Sequence, residues 1–353
     1  MKEHTARWWK PADDRTVHCF LCPHRCAIAD GGFGICHVRQ NRGGRLVSLV
    51  YGTATGFAAD PVEKKPLAHF LPGTAILSFG TVGCNLRCVF CQNWTSSRAK
   101  ADDIPLVDVT PDQVVALARK HGCPSIAYTY NEPIISAEFV VEVSRLARRE
   151  GLKNVLVTNG YVTPEARPDV MECIDGANVD LKGFTERFYA DLTGSHLEPV
   201  KDTLRWMVRE AGVWVEITTL LIPGENDSPG EIAASTEWIA TTLGADVPVH
   251  FTAFHPDYRL LSRPPTPPAT LAQARAIAMQ KGLRYVFVGN VMDEDSQSTY
   301  CPGCGKVVIR RNWHEIRSCE LDGNRCRACG ATIAGVFPGA SAPAAPGRGP
   351  ILP

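Results

Sequence analysis

Cys84, Cys88 and Cys91 fall within eight residues of the chain, in the stretch GCNLRCVFCQNW. Thiolates spaced in this way bind metal, yet a single structural zinc ion takes four protein ligands. The candidates for a fourth ligand, His69 and Cys123, lack the spacing of a zinc ribbon. A four-iron cubane accounts for the odd number, because three thiolates hold three irons and leave the fourth open to another ligand. The spacing therefore predicts a [4Fe-4S] cluster with an open iron.

Four further cysteines near the carboxyl end have the spacing of a zinc ribbon. They occur as C-x2-C-x21-C-x2-C, and each half ends in a glycine that permits a tight turn. The predicted zinc ligands are Cys301, Cys304, Cys326 and Cys329. A rubredoxin-like iron site is the alternative for the same four thiolates.

A third group of cysteines lies near the amino end, in CFLCPHRC and the following GIC. It consists of Cys19, Cys22, Cys26 and Cys36. Four thiolates make a closed metal site, and they fit either zinc or a second iron–sulfur cluster. Because the spacing matches neither a ribbon nor a standard ferredoxin run, both metals stay open, as does the absence of a metal. Zinc would indicate a lid or docking module, whereas a cluster would indicate electron transfer.

Composition limits the classes of partner and location. The chain has 37 basic and 37 acidic residues, so its net charge gives no support for a nucleic-acid partner. No apolar run reaches membrane length, and the amino end has no apolar segment typical of a signal peptide. Fourteen cysteines in such a chain favour metal sites over disulfides. We expect a cytoplasmic protein without a membrane partner.

Short apolar runs alternate with helical patterns between the second and third cysteine groups along the chain. The runs are AILSFG (75–80), SIAYTY (125–130), NVLVTN (154–159), ANVDL (177–181), VWVEITTL (213–220), VPVHFTAF (247–254) and LRYVFVG (283–289). Thr110 and Thr163 are the predicted N-caps of two of the intervening helices. Repeated βα units predict parallel strands covered by helices. The predicted fold class is α/β, with a partial or nearly closed (β/α) TIM-type barrel.

The predicted organisation has four parts. They are an N-terminal Cys-rich module over 1–69, the barrel over 70–290, a zinc-ribbon-like module over 291–334 and a tail over 335–353. The tail is rich in Pro, Ala and Gly, which predicts disorder because it offers too few large apolar side chains for a core.

Polar, glycine or cysteine residues follow six of the predicted strands. The carboxyl ends of barrel strands gather at one rim, so we expect a single site there. Its candidate residues beyond the cysteines are Asn131, Glu132, Asn159, Asp180, Lys182 and His255. Taken singly, the asparagines fit ordinary turns, the Asp–Lys pair fits a solvated ion pair and the histidine fits a structural role. Their shared position favours function.

The C-x3-C-x2-C motif, with Phe90 just before its last cysteine, resembles the signature of the radical S-adenosylmethionine superfamily. The resemblance covers residues 70–290 and points to the pyruvate formate-lyase activating enzyme branch. Within it, the chain is most similar to the radical proteins of the AmmeMemoRadiSam system, through CFLCPHRC, GICHVR, CVFCQNW, YTYNEP and DLKGF. The resemblance implies that S-adenosylmethionine binds the open iron and that reduction yields a hydrogen-abstracting 5′-deoxyadenosyl radical.

The resemblance also implies roles for individual residues. Asn131 and Glu132 stand where the family holds the methionyl amino group, although Tyr130 and Asn131 replace two glycines often found there. The residues implied to surround the rest of the cofactor are Phe90, Asn93, Asn159, Asp180, Lys182 and His255.

The predicted function is hydrogen abstraction by an enzyme that uses a [4Fe-4S] cluster, S-adenosylmethionine and a flavodoxin-like or ferredoxin-like reductant. The hydrogen donor stays open between a protein residue and a small molecule. One alternative is an activating enzyme for a glycyl radical enzyme, and another is a non-enzymatic adaptor with zinc modules. An adaptor has no need of a three-cysteine loop or of polar residues at six strand ends, which favours the enzyme.

Overall fold

A nine-stranded sheet forms the centre of the computed structural model, which describes residues 3–337 and 349–351. Its strands are β1 (Gly56–Pro61), β2 (Ala75–Gly80), β3 (Ser125–Tyr128), β4 (Lys153–Thr158), β5 (Gly176–Asp180), β6 (Trp214–Leu221), β7 (Val249–Ala253), β8 (Val286–Gly289) and β9 (Gly349–Ile351). Strands β2 to β8 are parallel, and each pairs with the next along the chain. The seven predicted strands are confirmed.

The two edges of the sheet differ from a closed barrel. Strand β1 pairs antiparallel with β2, and β9 pairs antiparallel with β1. Within the described residues, β8 and β9 do not pair with each other, so the sheet stays open between them. The fold is α/β with a mostly parallel sheet, in agreement with the partial form of the predicted barrel.

Helices cover the sheet, which explains why every residue of β2 and β3 is buried. The helices are α1 (Trp94–Ser97), α2 (Pro111–Lys120), α3 (Ala137–Arg149), α4 (Arg167–Met171), α5 (Glu186–Phe188), α6 (Leu197–Arg209), α7 (Pro229–Trp238), α8 (Pro268–Gln280) and α9 (Glu294–Gln297). Two π-helical turns extend α5 and α7, over Tyr189–Thr193 and Ile239–Leu243. No helix of the described ranges has the length and apolar character needed to cross a membrane.

Local signals set one helix start correctly and another incorrectly. Thr110 caps α2, and its side chain accepts a hydrogen bond from Gln113 N while Gln113 reciprocates. Thr163 does not cap α4, whose N-cap is Ala166. Thr163 Oγ1 accepts a hydrogen bond from Ala166 N at 3.3 Å in the turn before α4, and it donates to Phe20 O at 2.7 Å, so this threonine also joins the N-terminal segment to the barrel.

The N-terminal segment consists of small antiparallel sheets. One contains Trp9–Pro11, Val17–Cys19 and Ala27–Ile28, and another contains His4–Thr5, Arg39–Arg42 and Arg45–Ser48. Thr53–Ala54 pairs with Val107–Asp108. Short 3-10 turns occur at Asp13–Arg15, Val62–Lys64 and Pro133–Ser136.

The C-terminal segment folds against the amino-terminal end of the barrel. Its strands are Thr299–Tyr300, Val307–Asn312, Glu315–Cys319, Leu321–Asp322 and Arg325–Cys326. His69 bridges the two parts, because its Nδ1 lies 2.7 Å from Ala334 O and its Nε2 lies 3.0 Å from Thr299 Oγ1. Arg311 adds a hydrogen bond from Nη2 to Ala68 O at 2.6 Å.

Glu216 in β6 is the centre of this buried junction. Its carboxylate accepts hydrogen bonds from Ala68 N at 2.7 Å and His69 N at 2.8 Å, and His250 Nε2 lies 2.7 Å from it. The Glu216 side chain has no exposed surface. Such a network is costly to break, because each remaining polar group stays buried without a partner.

The predicted boundaries of two segments do not match the limits of the central sheet. Strand β1 lies inside the segment 1–69, yet it belongs to the barrel sheet. In the tail predicted to be disordered, Gly349–Ile351 form β9, whereas 338–348 and 352–353 lie outside the described residues. The pairing of β9 with β1 supplies the order that composition alone did not predict.

Candidate active site

A cavity of about 440 Å³ opens at the carboxyl ends of the parallel strands. This volume lies within the range of small-molecule sites, about 300–1,000 Å³. The loop after β2 contributes Cys84 to its wall, and the residue after β8 contributes Asn290. Residues from opposite ends of the strand order meet here because the sheet curls around the cavity.

Most of the predicted site residues line this cavity. They are Cys84, Cys88, Phe90, Cys91, Asn93, Asn131, Glu132, Asn159, Asp180 and Lys182. His255 is the exception: its side chain is exposed, and its Nδ1 lies 3.4 Å from Pro256 O. Strand β7 ends at Ala253, and the segment after His255 contacts the cysteine loop, where Arg259 N donates to Val89 O at 3.0 Å. His255 itself does not line the cavity, and its role stays a prediction.

The loop that carries the three cysteines is held by contacts along its start. Asn131 Oδ1 accepts a hydrogen bond from Thr81 N at 3.0 Å, and Asn131 Nδ2 donates to Gly83 O at 2.9 Å. Gly80 has no room for a side chain, since a Cβ would lie 2.3 Å from Thr129 O. These contacts fix the direction in which the loop leaves β2.

Cys84, Cys88 and Cys91 are free thiols on the cavity wall. Cys84 Sγ accepts a hydrogen bond from Leu86 N at 3.3 Å. Burial raises the pKa of Cys88 to about 11, so the thiolate form requires a cationic partner. In the described chain the three sulfurs do not form a set within 4.8 Å of one another. They are therefore too widely spaced for one ion and suit a cluster of several irons.

Glu132 is a buried carboxylate on the cavity wall without a cation beside it. Its Oε1 accepts hydrogen bonds from Thr158 Oγ1 at 2.6 Å and Ile134 N at 3.0 Å, and its Oε2 accepts one from Asn159 N at 2.8 Å. No lysine, arginine or histidine nitrogen of the described residues lies within 4.0 Å of it. Burial raises the pKa of Glu132 to about 7 despite these hydrogen bonds. The site therefore favours a cationic ligand at this carboxylate.

Asn159 connects Glu132 to the cysteine loop. Its Nδ2 donates to Asn85 Oδ1 at 2.8 Å, and its Oδ1 accepts from Tyr161 N at 2.9 Å. The side-chain amide of Asn131 is likewise committed, to the backbone on either side of Val82. In this structure the two asparagines therefore position the loop and the carboxylate.

Asp180 and Lys182 form an ion pair on the opposite part of the wall. Lys182 Nζ lies 2.9 Å from Asp180 Oδ2, and Lys182 N donates to Tyr189 Oη at 3.1 Å. Burial disfavours the charged form of Lys182, but the Asp180 carboxylate outweighs that cost and raises the pKa of the ammonium group. Only 17% of the Lys182 side chain is exposed, so the pair is part of the cavity rather than a solvated surface pair.

Phe90 and Asn93 occupy different depths of the site. Phe90 is buried, and its ring centroid lies 5.7 Å from that of Phe188. Asn93 lines the cavity but is exposed, immediately before α1. The first residue therefore makes the apolar wall beside the thiols, and the second stands at the mouth.

The model of the Radical SAM superfamily matches residues 79–235, a segment that begins at the end of β2 and includes the three-cysteine loop. The chain belongs to this superfamily. The protein is therefore a radical SAM enzyme, as the sequence motif predicted, and the adaptor alternative falls away.

The chain is also similar to two curated relatives. The chain is 41% identical over 330 residues to an uncharacterised protein of Methanocaldococcus jannaschii, covering 93% of this chain and 98% of the relative. It is 22% identical over 233 residues to pyruvate formate-lyase 1-activating enzyme of Escherichia coli, covering 61% of this chain and 93% of that enzyme. The radical SAM chain thus lies in the activating-enzyme-like branch.

Among solved structures, a radical SAM methyltransferase from Sphaerobacter thermophilus aligns with a TM-score of 0.49 and 16% identity. The alignment covers 67% of this chain and 71% of that one.

Radical SAM enzymes carry a [4Fe-4S] cluster and S-adenosylmethionine, and the residues of the cavity fit both. Cys84, Cys88 and Cys91 offer three separated thiolates, and Glu132 offers an unpaired carboxylate to a cationic ligand. With both bound, the cluster and S-adenosylmethionine would supply a 5′-deoxyadenosyl radical, and the residues of the cavity would hold S-adenosylmethionine in position and limit the access of water.

The cavity also contains polar residues that sequence reasoning missed. They lie inside strands or ahead of β2, and they include Lys64, Lys65, Asn178, Thr218 and Thr252. Asn178 Nδ2 donates to Thr218 Oγ1 at 2.9 Å across neighbouring strands. A usable signal existed for Asn178, because it is a polar residue at an interior position of the mostly apolar β5. Thr218 has no such signal, since Glu216 and Thr219 in the same strand are also polar.

A candidate metal site lies in the C-terminal segment. The four predicted sulfur ligands all lie within 4.8 Å of one another, and they are Cys301, Cys304, Cys326 and Cys329. Cys301 Sγ lies 3.5 Å from Cys329 Sγ, and Cys304 Sγ lies 3.9 Å from Cys326 Sγ. This compact group of thiols can bind a single metal ion.

Proposed function

We propose that this radical SAM enzyme binds the methionyl ammonium group of S-adenosylmethionine at Glu132 and directs the radical at a substrate hydrogen in the barrel cavity. The observation that carries the proposal is the Glu132 carboxylate, which is buried, lines the cavity and has no cation within 4.0 Å among the described residues. A buried carboxylate without a cationic partner is costly, and a bound ammonium group would offset that cost.

Neighbouring residues support this placement. Oε2 of Glu132 accepts one hydrogen bond from the protein, which leaves an acceptor site for the ligand. Asn159 joins this carboxylate to Asn85, the residue after Cys84, so the ammonium site and the cluster loop are coupled. Asp180 and Lys182 offer a carboxylate for hydroxyl groups and an ammonium group for the carboxylate of the cofactor. Phe90 supplies apolar surface beside them.

The hydrogen donor is a protein residue or a small molecule, and a low-potential flavodoxin-like or ferredoxin-like protein supplies the electron. The Escherichia coli relative is an activating enzyme, but the comparisons do not favour a glycyl radical enzyme as partner of this chain. Kinship with the AmmeMemoRadiSam radical proteins stays a prediction, as does the division into an N-terminal module, a barrel, a ribbon-like module and a tail.

Reductive cleavage is tested on anaerobically reconstituted full-length protein. With dithionite, wild type should convert S-adenosylmethionine to 5′-deoxyadenosine and methionine, and Cys91→Ala should form neither product. Cys123→Ser is the matched control, because this buried free cysteine is distant in sequence from the loop and does not line the cavity. Product formation by Cys91→Ala at the wild-type rate would contradict the cluster assignment.

We also propose that the C-terminal thiols hold zinc. Zinc–sulfur bonds of about 2.3 Å in a tetrahedron place the sulfurs about 3.8 Å apart, and the two measured pairs lie on either side of that value at 3.5 and 3.9 Å. Cys326→Ser should remove about one zinc per chain while iron stays constant. Cys319→Ser, an exposed free cysteine nearby, should leave zinc unchanged. Loss of iron instead of zinc would indicate the rubredoxin-like alternative.

A further inference from the structure

We propose that Cys19, Cys22, Cys26 and Cys36 hold a second iron–sulfur cluster, fully ligated by protein, which passes electrons to the catalytic cluster. The identification of the metal stands on the geometry of the N-terminal segment. The electron-transfer role rests in addition on the function proposed for the three-cysteine loop.

The N-terminal fold brings the four cysteines around one enclosed space. Cys19 ends a strand, and its N–H donates to Cys26 O at 2.9 Å, which closes the turn that carries Cys22. Cys36 enters from the next loop, and all four are free thiols. Ile134 and Ile135, which are distant in sequence from the four cysteines, complete an apolar wall. The four cysteines therefore surround one enclosed space in the fold and are not a chance cluster of surface cysteines.

Sulfur spacing separates a cluster from a single ion. Around one zinc the sulfurs stand about 3.8 Å apart, and the C-terminal thiols of this same chain approach that geometry. The N-terminal thiols do not: in the described chain no three of them lie within 4.8 Å of one another, and a water-sized sphere fits among them. The catalytic cysteines share this wider arrangement. A cubane fits it, because each thiolate binds a different iron.

Arg39 gives a second indication of a ligand. Its side chain is 2% exposed and lines the space, and Glu138 and Arg7 O hold its terminal nitrogens. Its Nε has no hydrogen-bond partner among the described residues. A buried donor without a partner is costly, and a sulfide or thiolate of a cluster would accept its hydrogen bond. A thiolate bound to zinc would accept the same hydrogen bond, so Arg39 indicates a bound metal and the sulfur spacing distinguishes a cluster from zinc.

The space lies directly behind the catalytic loop. Asn85, the residue after Cys84, lines it, and a Cβ at Gly83 would lie 2.7 Å from Cys36 O. The two sets of thiols are thus separated by the thickness of a packed backbone. A low-potential one-electron donor would reduce the N-terminal cluster from the 2+ to the 1+ state. Transfer of that electron reduces the catalytic cluster and returns the N-terminal one to 2+.

The metal is tested by iron, sulfide and zinc analysis of reconstituted full-length protein. Wild type should hold about eight irons, and the variant Cys84→Ala/Cys88→Ala/Cys91→Ala should keep about four. Cys22→Ser/Cys26→Ser should also keep about four, and it should still cleave S-adenosylmethionine with dithionite. If the triple variant contains no iron and one more zinc than Cys326→Ser, the second cluster is overturned. This result does not depend on whether the N-terminal variant folds. It also leaves the assignment of the catalytic cluster to Cys84, Cys88 and Cys91 unaffected.

The electron role has its own readout. In fully reduced wild type, two neighbouring paramagnetic clusters should broaden each other's electron paramagnetic resonance signals, and each variant should show a single sharp signal. A wild-type spectrum equal to the sum of the two variant spectra would overturn the relay. Failure of the proposed function would give a different result. Dithionite-reduced wild type would then contain two clusters but would not cleave S-adenosylmethionine.

Discussion

Glu132→Gln keeps the size of the side chain and removes its charge from the cavity. Glutamine retains an oxygen that accepts from Thr158 and Ile134, but its amide faces Asn159 N, so one hydrogen bond is lost. That loss costs about 1 kcal/mol, and removal of a buried carboxylate with a raised pKa offsets part of it. The variant should therefore fold and bind iron like wild type.

Cofactor affinity should fall in the same variant. A hydrogen bond between a carboxylate and an ammonium group contributes about 1.5–3 kcal/mol, which corresponds to a loss of affinity of about tenfold to a hundredfold. Equilibrium binding of S-adenosylmethionine to reconstituted protein measures it, with iron quantified alongside. Glu237→Gln, an exposed carboxylate paired with Lys281, is the control.

The pH dependence gives an independent check of the same carboxylate. With a pKa of about 7, Glu132 is mostly protonated at pH 6 and half ionised at pH 7. Affinity should therefore rise about fivefold between these values, below the range in which an α-amino group loses its proton, about 7.7–8.0. Glu132→Gln should show no such rise. Wild-type affinity together with a wild-type pH profile in this variant would refute the reasoning.

Two further variants test two different regions, the contacts that hold the cysteine loop and the buried junction at the base of the barrel. Asn131→Ala removes both side-chain contacts that hold the start of the cysteine loop, so iron content after reconstitution should fall, whereas exposed Asn93→Ala should leave it unchanged. Glu216→Gln replaces one carboxylate oxygen of a buried hydrogen-bond network with an amide nitrogen and should lower the free energy of unfolding by about 1–3 kcal/mol in denaturant titrations. Equal stability of the Glu216 variant and wild type would show that the junction is not what holds the C-terminal segment.

The sequence predicted the central sheet well because its strands carry strong local signals. Each parallel strand is a short apolar run between a helix and a turn, and burial on both faces requires such a run. Strands β1 and β9 were missed for a physical reason. Strand β9 lies at the edge of the sheet and pairs antiparallel with β1, which is distant in sequence, so no periodicity records it. Strand β1 contains Gly56, Asp60 and Pro61, residue types that are depleted in strands.

The sequence predicted which residues form most of the site, but it did not predict what each of them does. Strand order alone placed Glu132 and Asn131 beside the cysteine loop. Their different tasks follow from hydrogen-bond partners: Asn131 is occupied by the backbone of the loop, and Glu132 keeps an acceptor for a ligand. His255 is exposed and does not line the cavity, because a position after a strand does not guarantee that the side chain turns inward. The spacing of the N-terminal thiols likewise required three dimensions.

The junction at the amino-terminal end of the barrel has a consequence for synthesis of the enzyme. His69 and the Ala68 carbonyl find their partners in Thr299, Arg311 and Ala334, which leave the ribosome after every parallel strand. A nascent barrel therefore carries unpaired polar groups at its base until the C-terminal segment has emerged and folded. With zinc bound as proposed above, completion of the barrel would also depend on metal supply at a site remote from the cavity.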